Sequence, residues 1–293
     1  MQQRCRQLVL ATAIVLTSTA AIARADDWPL VRGDILGSGV AAKPVPDNLD
    51  VLWTYRAEKD AGFDATAVVA DGVIYVGDNA GTFHAVRLAD GEPVWTKSFE
   101  DSGFGAGAAV GKEHIYVGDL NGVVRCLSRA DGSEVWEKDL ETEIYAGPTL
   151  LGDDLLVASE SGSLNCLSAA DGKERWPAFS IDAPLRCSPT VSAGRVMLAG
   201  CDAKLHFVDV KTGLEVATVD IDGPTGSTAA MTGDRVYFGT EGGTFFAIDA
   251  PTGETKQPAV AWTYRDSRRG QPIRAAAAVT DKLVVYGSQG KAI

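Results

Sequence analysis

The sequence predicts an all-β chain: a β-propeller of four-stranded antiparallel blades, five complete and a partial sixth. Three observations carry this. Asp-Gly or Thr-Gly turns recur with glycines at 91, 132, 172, 213 and 253, a spacing of 40 or 41 residues. A fixed period of that size marks a repeat architecture. A short β-rich run, Ile74-Tyr75-Val76-Gly77, returns as Ile115–Gly118, Val236–Gly239 and Val284–Gly287, with weaker copies at Leu156–Ser159 and Met197–Gly200. No helical period of comparable strength appears in residues 51–290.

Each repeat offers four strands. The innermost is small: Ala65-Thr66-Ala67, Ala106-Gly107-Ala108, Ser227-Thr228-Ala229 and Ala275-Ala276-Ala277. The Ile-Tyr-Val run is the second strand. The third is Thr82–Val86, matched by Val123–Leu127, Ser163–Leu167, Lys204–Val208 and Thr244–Ile248. The fourth leaves the glycine turn and carries a tryptophan. Four short strands in about forty residues is the propeller-blade pattern. Crowding near the axis favours small residues, and the outer strands have room for aromatics.

The turn explains the tryptophan. Asp-Gly supplies the positive φ of a tight hairpin. Gly91, Gly132 and Gly172 lead to Trp95, Trp136 and Trp176. Each indole is placed to cover the neighbouring blade and to give its N–H to a backbone carbonyl there. These six residues are read as structural docking positions. Ala217 replaces the indole after Gly213, and the one after Gly253 is delayed to Trp262.

These runs resemble the tryptophan-docking repeat, A-x-D-x-x-T-G-K-E-x-W, of the pyrroloquinoline-quinone (PQQ) propeller superfamily. Ala247-Ile248-Asp249 with Thr252-Gly253-Glu254 keeps its first half. The superfamily holds quinoprotein alcohol dehydrogenases, the BamB lipoprotein of outer-membrane β-barrel assembly, and secreted propellers of unknown role. The resemblance covers about residues 50–293. It specifies a fold far more than an activity.

Residues 1–25 read as an export signal: Arg4 and Arg6, an apolar stretch from Leu8 to Leu16, and Ala23-Arg24-Ala25 as a cleavage site. The stretch is too short to span a bilayer. Cys5 precedes it, so no cysteine follows as a lipid acceptor. A periplasmic or secreted chain cleaved after Ala25, with no lipid anchor and no transmembrane segment, is expected. Loss of that segment leaves 24 basic against 39 acidic residues, a formal −15. Such acidity argues against nucleic acid as partner and suits protein or small-molecule partners.

Residues 26–50 read as a lead-in along the propeller surface, and 51–56 as an orphan outer strand. The blades fall at about 64–99, 105–140, 146–180, 187–219, 226–264 and, in part, 274–293 of a propeller domain over 51–293. The pattern stops inside the sixth repeat. A truncated chain with an exposed sheet edge is expected; the alternative is a small propeller with a frayed last blade.

A ligand or partner would meet one mouth of the central funnel. The turns between second and third strands place Asp78, Asp119, Glu160, Asp202 and Glu241 in one column, with Gln289 in the sixth repeat. Either these acids form an arc at the mouth, or they serve the turns themselves. The connections between blades give a second column: Phe63, Phe104, Tyr145, Arg186, Thr225 and Ile273. Its aromatics and arginine either contact a peptide or flat ligand or plug the channel. The basic stretch Tyr264–Pro272 is either a solvated loop or a contact for an anionic partner.

Cys126 and Cys166 occupy equivalent strand positions and are read as small buried residues. Cys187 and Cys201 flank one hairpin, where a disulfide is possible in an oxidising compartment. His84, His114 and His206 form no close pair, and no metal motif is present. The resemblance also implies a cofactor test: the dehydrogenases hold PQQ with calcium or a lanthanide, a general-base Asp and adjacent cysteines. This sequence has no adjacent cysteines, and no Asp or Asn aligns to that metal site, so no catalytic residue is named. The expectation is an extracytoplasmic noncatalytic binding or scaffold propeller without cofactor, taking a protein or peptide ligand; the alternative is a PQQ-dependent dehydrogenase or a fragment of one.

Overall fold

The computed structural model describes residues 27–58, 61–251, 257–266 and 270–290. The export-type segment, Thr252-Gly253-Glu254 and Ser267-Arg268-Arg269 lie outside the described residues.

Among the described residues, twenty-two strands form six antiparallel sheets, each built from consecutive strands. The first blade holds β1 (Val68–Ala70), β2 (Val73–Gly77), β3 (Thr82–Arg87) and β4 (Pro93–Ser98). The second holds β5 (Ala109–Val110), β6 (His114–Gly118), β7 (Val123–Ser128) and β8 (Glu134–Asp139). The third holds β9 (Thr149–Leu151), β10 (Asp154–Ala158), β11 (Ser163–Ser168) and β12 (Phe179–Ser180). The fourth holds β13 (Thr190–Ser192), β14 (Arg195–Ala199), β15 (Lys204–Asp209) and β16 (Glu215–Asp220). The fifth holds β17 (Ala230–Thr232), β18 (Arg235–Gly239), β19 (Thr244–Asp249) and β20 (Ala259–Arg265). The sixth sheet has β21 (Ala278–Val279) and β22 (Val284–Val285). This is a β-propeller of five complete blades and a partial one, as the periodicity predicts.

Buried faces of adjacent blades pack on one another: Ala146, Leu156, Leu164 and Cys166 of the third blade share one core with Val191, Val196 and Leu198 of the fourth. Outer strands are mostly exposed and alternate charge with short apolar residues. A bulge recurs in the outer ladder, after Ala85, Cys126, Phe207 and Ala247. It sits one step from the residue paired with the docking position, and bulges re-aim a side chain. In the third blade Pro177 follows Trp176, and the outer strand shrinks to β12, since proline brings no ladder donor.

Two expectations need correction. The small triplets are not the inner strands; those begin just after them, at Val68, Ala109, Ala230 and Ala278. The triplets line the hub, where smallness has a direct reason. A Cβ on Gly107 would lie 2.6 Å from the Thr66 carbonyl oxygen and 2.8 Å from a Val31 methyl. Nor does the whole lead-in follow the surface: residues 40–50 are exposed, but the first part takes another route. It crosses the innermost strands, giving backbone acceptors to five blades in turn: Trp28 to Val69, Pro29 to Val110, Ile35 to Val191, Leu36 to Met231 and Ser38 to Val279, at 2.7–2.9 Å. Asp34 folds the segment by accepting from the N–H groups of Leu36 and Ser38. The Arg32 guanidinium reaches the Ala277 carbonyl at 2.5 Å, and burial lowers its pKa.

Residues 51–57 pair with no sheet. Trp53 nevertheless docks like the repeat tryptophans, on Gly91 with its N–H to the Leu88 carbonyl at 3.0 Å.

Candidate functional site

The mouth is built by reciprocal backbone bonds. The N–H of Phe104 reaches the Asp78 carbonyl, that of Ile144 the Asp119 carbonyl, and that of Ile273 the Thr240 carbonyl, at 2.9–3.1 Å. In return the turn residues Leu120, Glu160, Glu241 and Gln289 donate to carbonyls of the connections, at 2.9–3.0 Å. Every blade-to-blade joint there is latched from both sides.

The five column acids do not lie at one depth. Asp78 and Asp119 are 2% and 0% exposed, so they line no opening. Each closes its own turn: Asp78 accepts from the N–H groups of Ala80 and Thr82 at 2.9 and 2.8 Å, and Asp119 from those of Asn121 and Val123 at 3.0 and 2.9 Å. The other Asp78 oxygen is 2.9 Å from His84 Nε2, whose Nδ1 is 2.9 Å from the Tyr55 hydroxyl. Burial, and then the Asp78 charge, raise the Tyr55 pKa. Asp202 repeats the motif with His206, at 3.0 Å, and Glu215 meets the other ring nitrogen at 2.7 Å.

Glu160 and Glu241 stand one residue further along the turn and face outward. Arg186 grips Glu160 through two bonds of 2.6 and 2.9 Å, and Arg274 grips Glu241 through two of 2.7 and 3.1 Å. Hydrogen bonding to Glu160 raises the Arg186 pKa.

The second column also divides. Phe104 is fully buried, edge-on to Phe83 at 5.5 Å and above Gly77. Thr225 and Ile273 are buried too, whereas Tyr145 is exposed. Phe63 is half-exposed and lies 5.4 Å from the His84 ring. Sequence spacing missed the two histidines, Arg274 and the docking role of Trp53. A third-strand histidine six residues after Asp78, and four after Asp202, was the available signal.

The four described cysteines are free thiols. The possible Cys187–Cys201 pair is not formed. The register Thr190↔Met197, carried three residues outward, sets Cys187 opposite Gly200 and sends the two side chains to different places. Cys187 is buried in the core of the third and fourth blades, and Cys201 Sγ lies 3.6 Å from the Thr225 carbonyl. Burial pushes the Cys126, Cys166 and Cys187 thiols up to about 12.

A quinone with calcium, which the resemblance implies, needs a flat seat and a cluster of oxygen ligands. Val31 lies against Gly107 and Gly147 near the hub, and a small cavity of about 10 Å³ sits beside it and Arg32, lined also by Pro148, Thr149, Ser188 and Thr228. Among the described residues no three His, Cys, Asp or Glu side chains converge as metal ligands. The described residues therefore offer no ready ligand set for the calcium. No helix among them is long and apolar enough to cross a membrane.

A groove of about 550 Å³ lies between the fifth blade and the sixth sheet, lined by Trp262, Tyr264, Ile273, Val284 and Tyr286 among others.

Comparison with known proteins agrees with this architecture. A 1-butanol dehydrogenase (cytochrome c) from Thauera butanivorans is 30% identical over 96 residues, 31% of this chain and 14% of that protein. The quinohemoprotein alcohol dehydrogenase of Comamonas testosteroni is 34% identical over 80 residues, 25% of this chain and 11% of that protein. Its structure superposes with a TM-score of 0.66 at 18% identity, covering 85% of this chain and 52% of that one. BamB from Moraxella catarrhalis superposes with a TM-score of 0.63 at 19% identity, covering 74% of this chain and 68% of that one. The chain thus spans about half of the Comamonas structure and a small part of either dehydrogenase sequence match. The sequence also matches the PQQ_2 family, described as outer membrane protein assembly factor BamB, over residues 47–121, 120–255 and 162–293, and the chain belongs to that family.

Proposed function

We propose that this chain is an extracytoplasmic, noncatalytic binding platform for protein or peptide ligands, akin to BamB in its use of loop rims and sheet edges. One observation carries the reading: the polar side chains around the mouth already satisfy one another. Asp78 and Asp119 are committed to their turns, and Arg186 and Arg274 to Glu160 and Glu241. A general base or nucleophile needs a reactive group held ready for substrate. A platform needs a rigid rim and exposed edges. The export-type amino terminus supports a periplasmic or secreted location, and the acidic balance supports partners other than nucleic acid. The name of the matched family supports a role in protein assembly.

Cross-linking in an envelope extract tests it. A protein partner should be captured, and capture should weaken when Glu160→Gln, Asp202→Asn and Glu241→Gln are combined. The second reading, a PQQ-dependent dehydrogenase or part of one, is favoured by the sequence likeness to two alcohol dehydrogenases. Stoichiometric PQQ uptake with calcium, and alcohol-dependent dye reduction, would move the assignment there.

A further inference from the structure

The inner strands of the six sheets share one backbone position. Val69, Val110, Leu150, Val191, Met231 and Val279 stand at the same register against their second strands. Five of these N–H groups go to the lead-in, to the carbonyls of Trp28, Pro29, Ile35, Leu36 and Ser38. The third blade is passed over. Between Pro29 and Ile35 the Leu30 carbonyl accepts from Gly33 at 2.9 Å, and among the described residues no lead-in carbonyl takes the Leu150 N–H. The same segment is folded by bonds of its own. Gly33 donates to Leu30, Gly37 to Asp34 and Gly39 to Arg32, at 2.9–3.1 Å. The Asp34 carboxylate holds the N–H groups of Leu36 and Ser38. Residues 40–50, which follow, are exposed.

We propose that residues 28–39 are a plug that leaves and regains the hub as one body, uncovering four blades and the sixth sheet at once while the sheets stay folded. Two features carry this. The plug's internal bonds survive release, so release costs only the five hub bonds, the Arg32 bond to Ala277 and the packing of Leu30, Ile35 and Leu36. The blades also keep ties that do not involve the plug. The Thr149 and Thr190 hydroxyls donate to the Pro189 and Ala229 carbonyls of the next blade, at 2.7 and 2.5 Å, and the indole seams lie further out. A protein opens in cooperative parts, each with its own free energy. Here the part is set by one folded segment, so its five donors lose their acceptors together. Seated, the plug withholds those donors from any other ligand and leaves the rim as the surface a ligand meets. That consequence rests on the platform reading; the plug itself does not.

Amide hydrogen exchange of the full chain, followed by NMR, tests the proposal. The N–H groups of Val69, Val110, Val191, Met231 and Val279 should exchange at one common rate, slower than Leu150 and faster than the ladder amides of β6 and β14. A Cβ on Gly147 would run into a Val31 methyl. Gly147→Ala should therefore raise the common rate about tenfold or more. Met231 and Val279 should respond as strongly as Val110, although they lie in the fifth blade and the sixth sheet and Gly147 in the third. Val31→Ala in the same chain should restore the original rate. Five unrelated rates, exchange no faster than the ladders, or an effect of Gly147→Ala confined to the second, third and fourth blades overturns the proposal. Should Gly147→Ala fail to fold, the rates of the unsubstituted chain decide alone. None of these outcomes touches the platform reading, which stands or falls on envelope cross-linking.

Discussion

Trp136 and Trp262 occupy the same ladder position on β8 and β20, paired with Cys126 and Ala247. Each has a second-strand tyrosine 6.0 Å away. What differs is the other side of the seam. Trp136 covers Gly172 and donates to Ala169, while Trp262 is 38% exposed and borders an open groove. The intrablade environment alone therefore places the indole, and the neighbouring blade converts it into a seam. A docking residue closes a seam only where its glycine partner is present; elsewhere the same side chain is left partly exposed.

The largest expected effect lies on that contrast. Trp136→Ala should cost about 3 kcal/mol in urea unfolding, the low end for losing a packed aromatic, and Trp262→Ala less than about 1 kcal/mol. Next comes the glycine half of the seam. Gly132→Val places a branched side chain against the Trp95 ring at a φ of +71° and should cost about 2–3 kcal/mol. Gly152→Ala meets nothing within 4 Å at a φ of +60°, so only backbone strain of about 1 kcal/mol remains. Equal losses at the two positions would remove the argument for close approach.

Those turn glycines and indoles were legible because tight turns and large aromatics repeat at a fixed interval. The mouth was less so. Asp78 and Glu160 stand one residue apart in their turns, and a period alternating between 40 and 41 residues lets two positions merge into one column. Side chains one step apart there meet opposite fates: Asp78 turns inward to His84, and Glu160 outward to Arg186. The route of Pro29 to Ser38 left little pattern, since all its bonds to the inner strands but that of Arg32 are made by backbone, which any sequence carries. The glycines at 107 and 147, where a Cβ would strike Val31, were its only trace.

Smaller effects sharpen the contrast between buried and rim chemistry. Folded Cys187 keeps its proton up to about 12, whereas an unfolded thiol releases it near 9.0. The folded chain then holds more protons over that window, and stability falls as pH rises through it. Between pH 8 and pH 10 the loss should be about 1 kcal/mol for this thiol, absent in Cys187→Ala, as read by urea titrations at both pH values. The rim should respond least. Glu160→Gln breaks a pair whose arginine is more than half exposed, so its cost should stay under about 1 kcal/mol and shrink further in salt.

The most direct test of seam against surface is exchange of the indole N–H protons, followed by NMR with nitrogen-labelled tryptophan. Trp53, Trp95, Trp136 and Trp176 should exchange slowly, each held by a carbonyl of the next blade, while Trp262 exchanges at the rate of an open side chain. A Trp262 signal as protected as the other four, or rapid exchange at Trp95 and Trp136, would contradict the account.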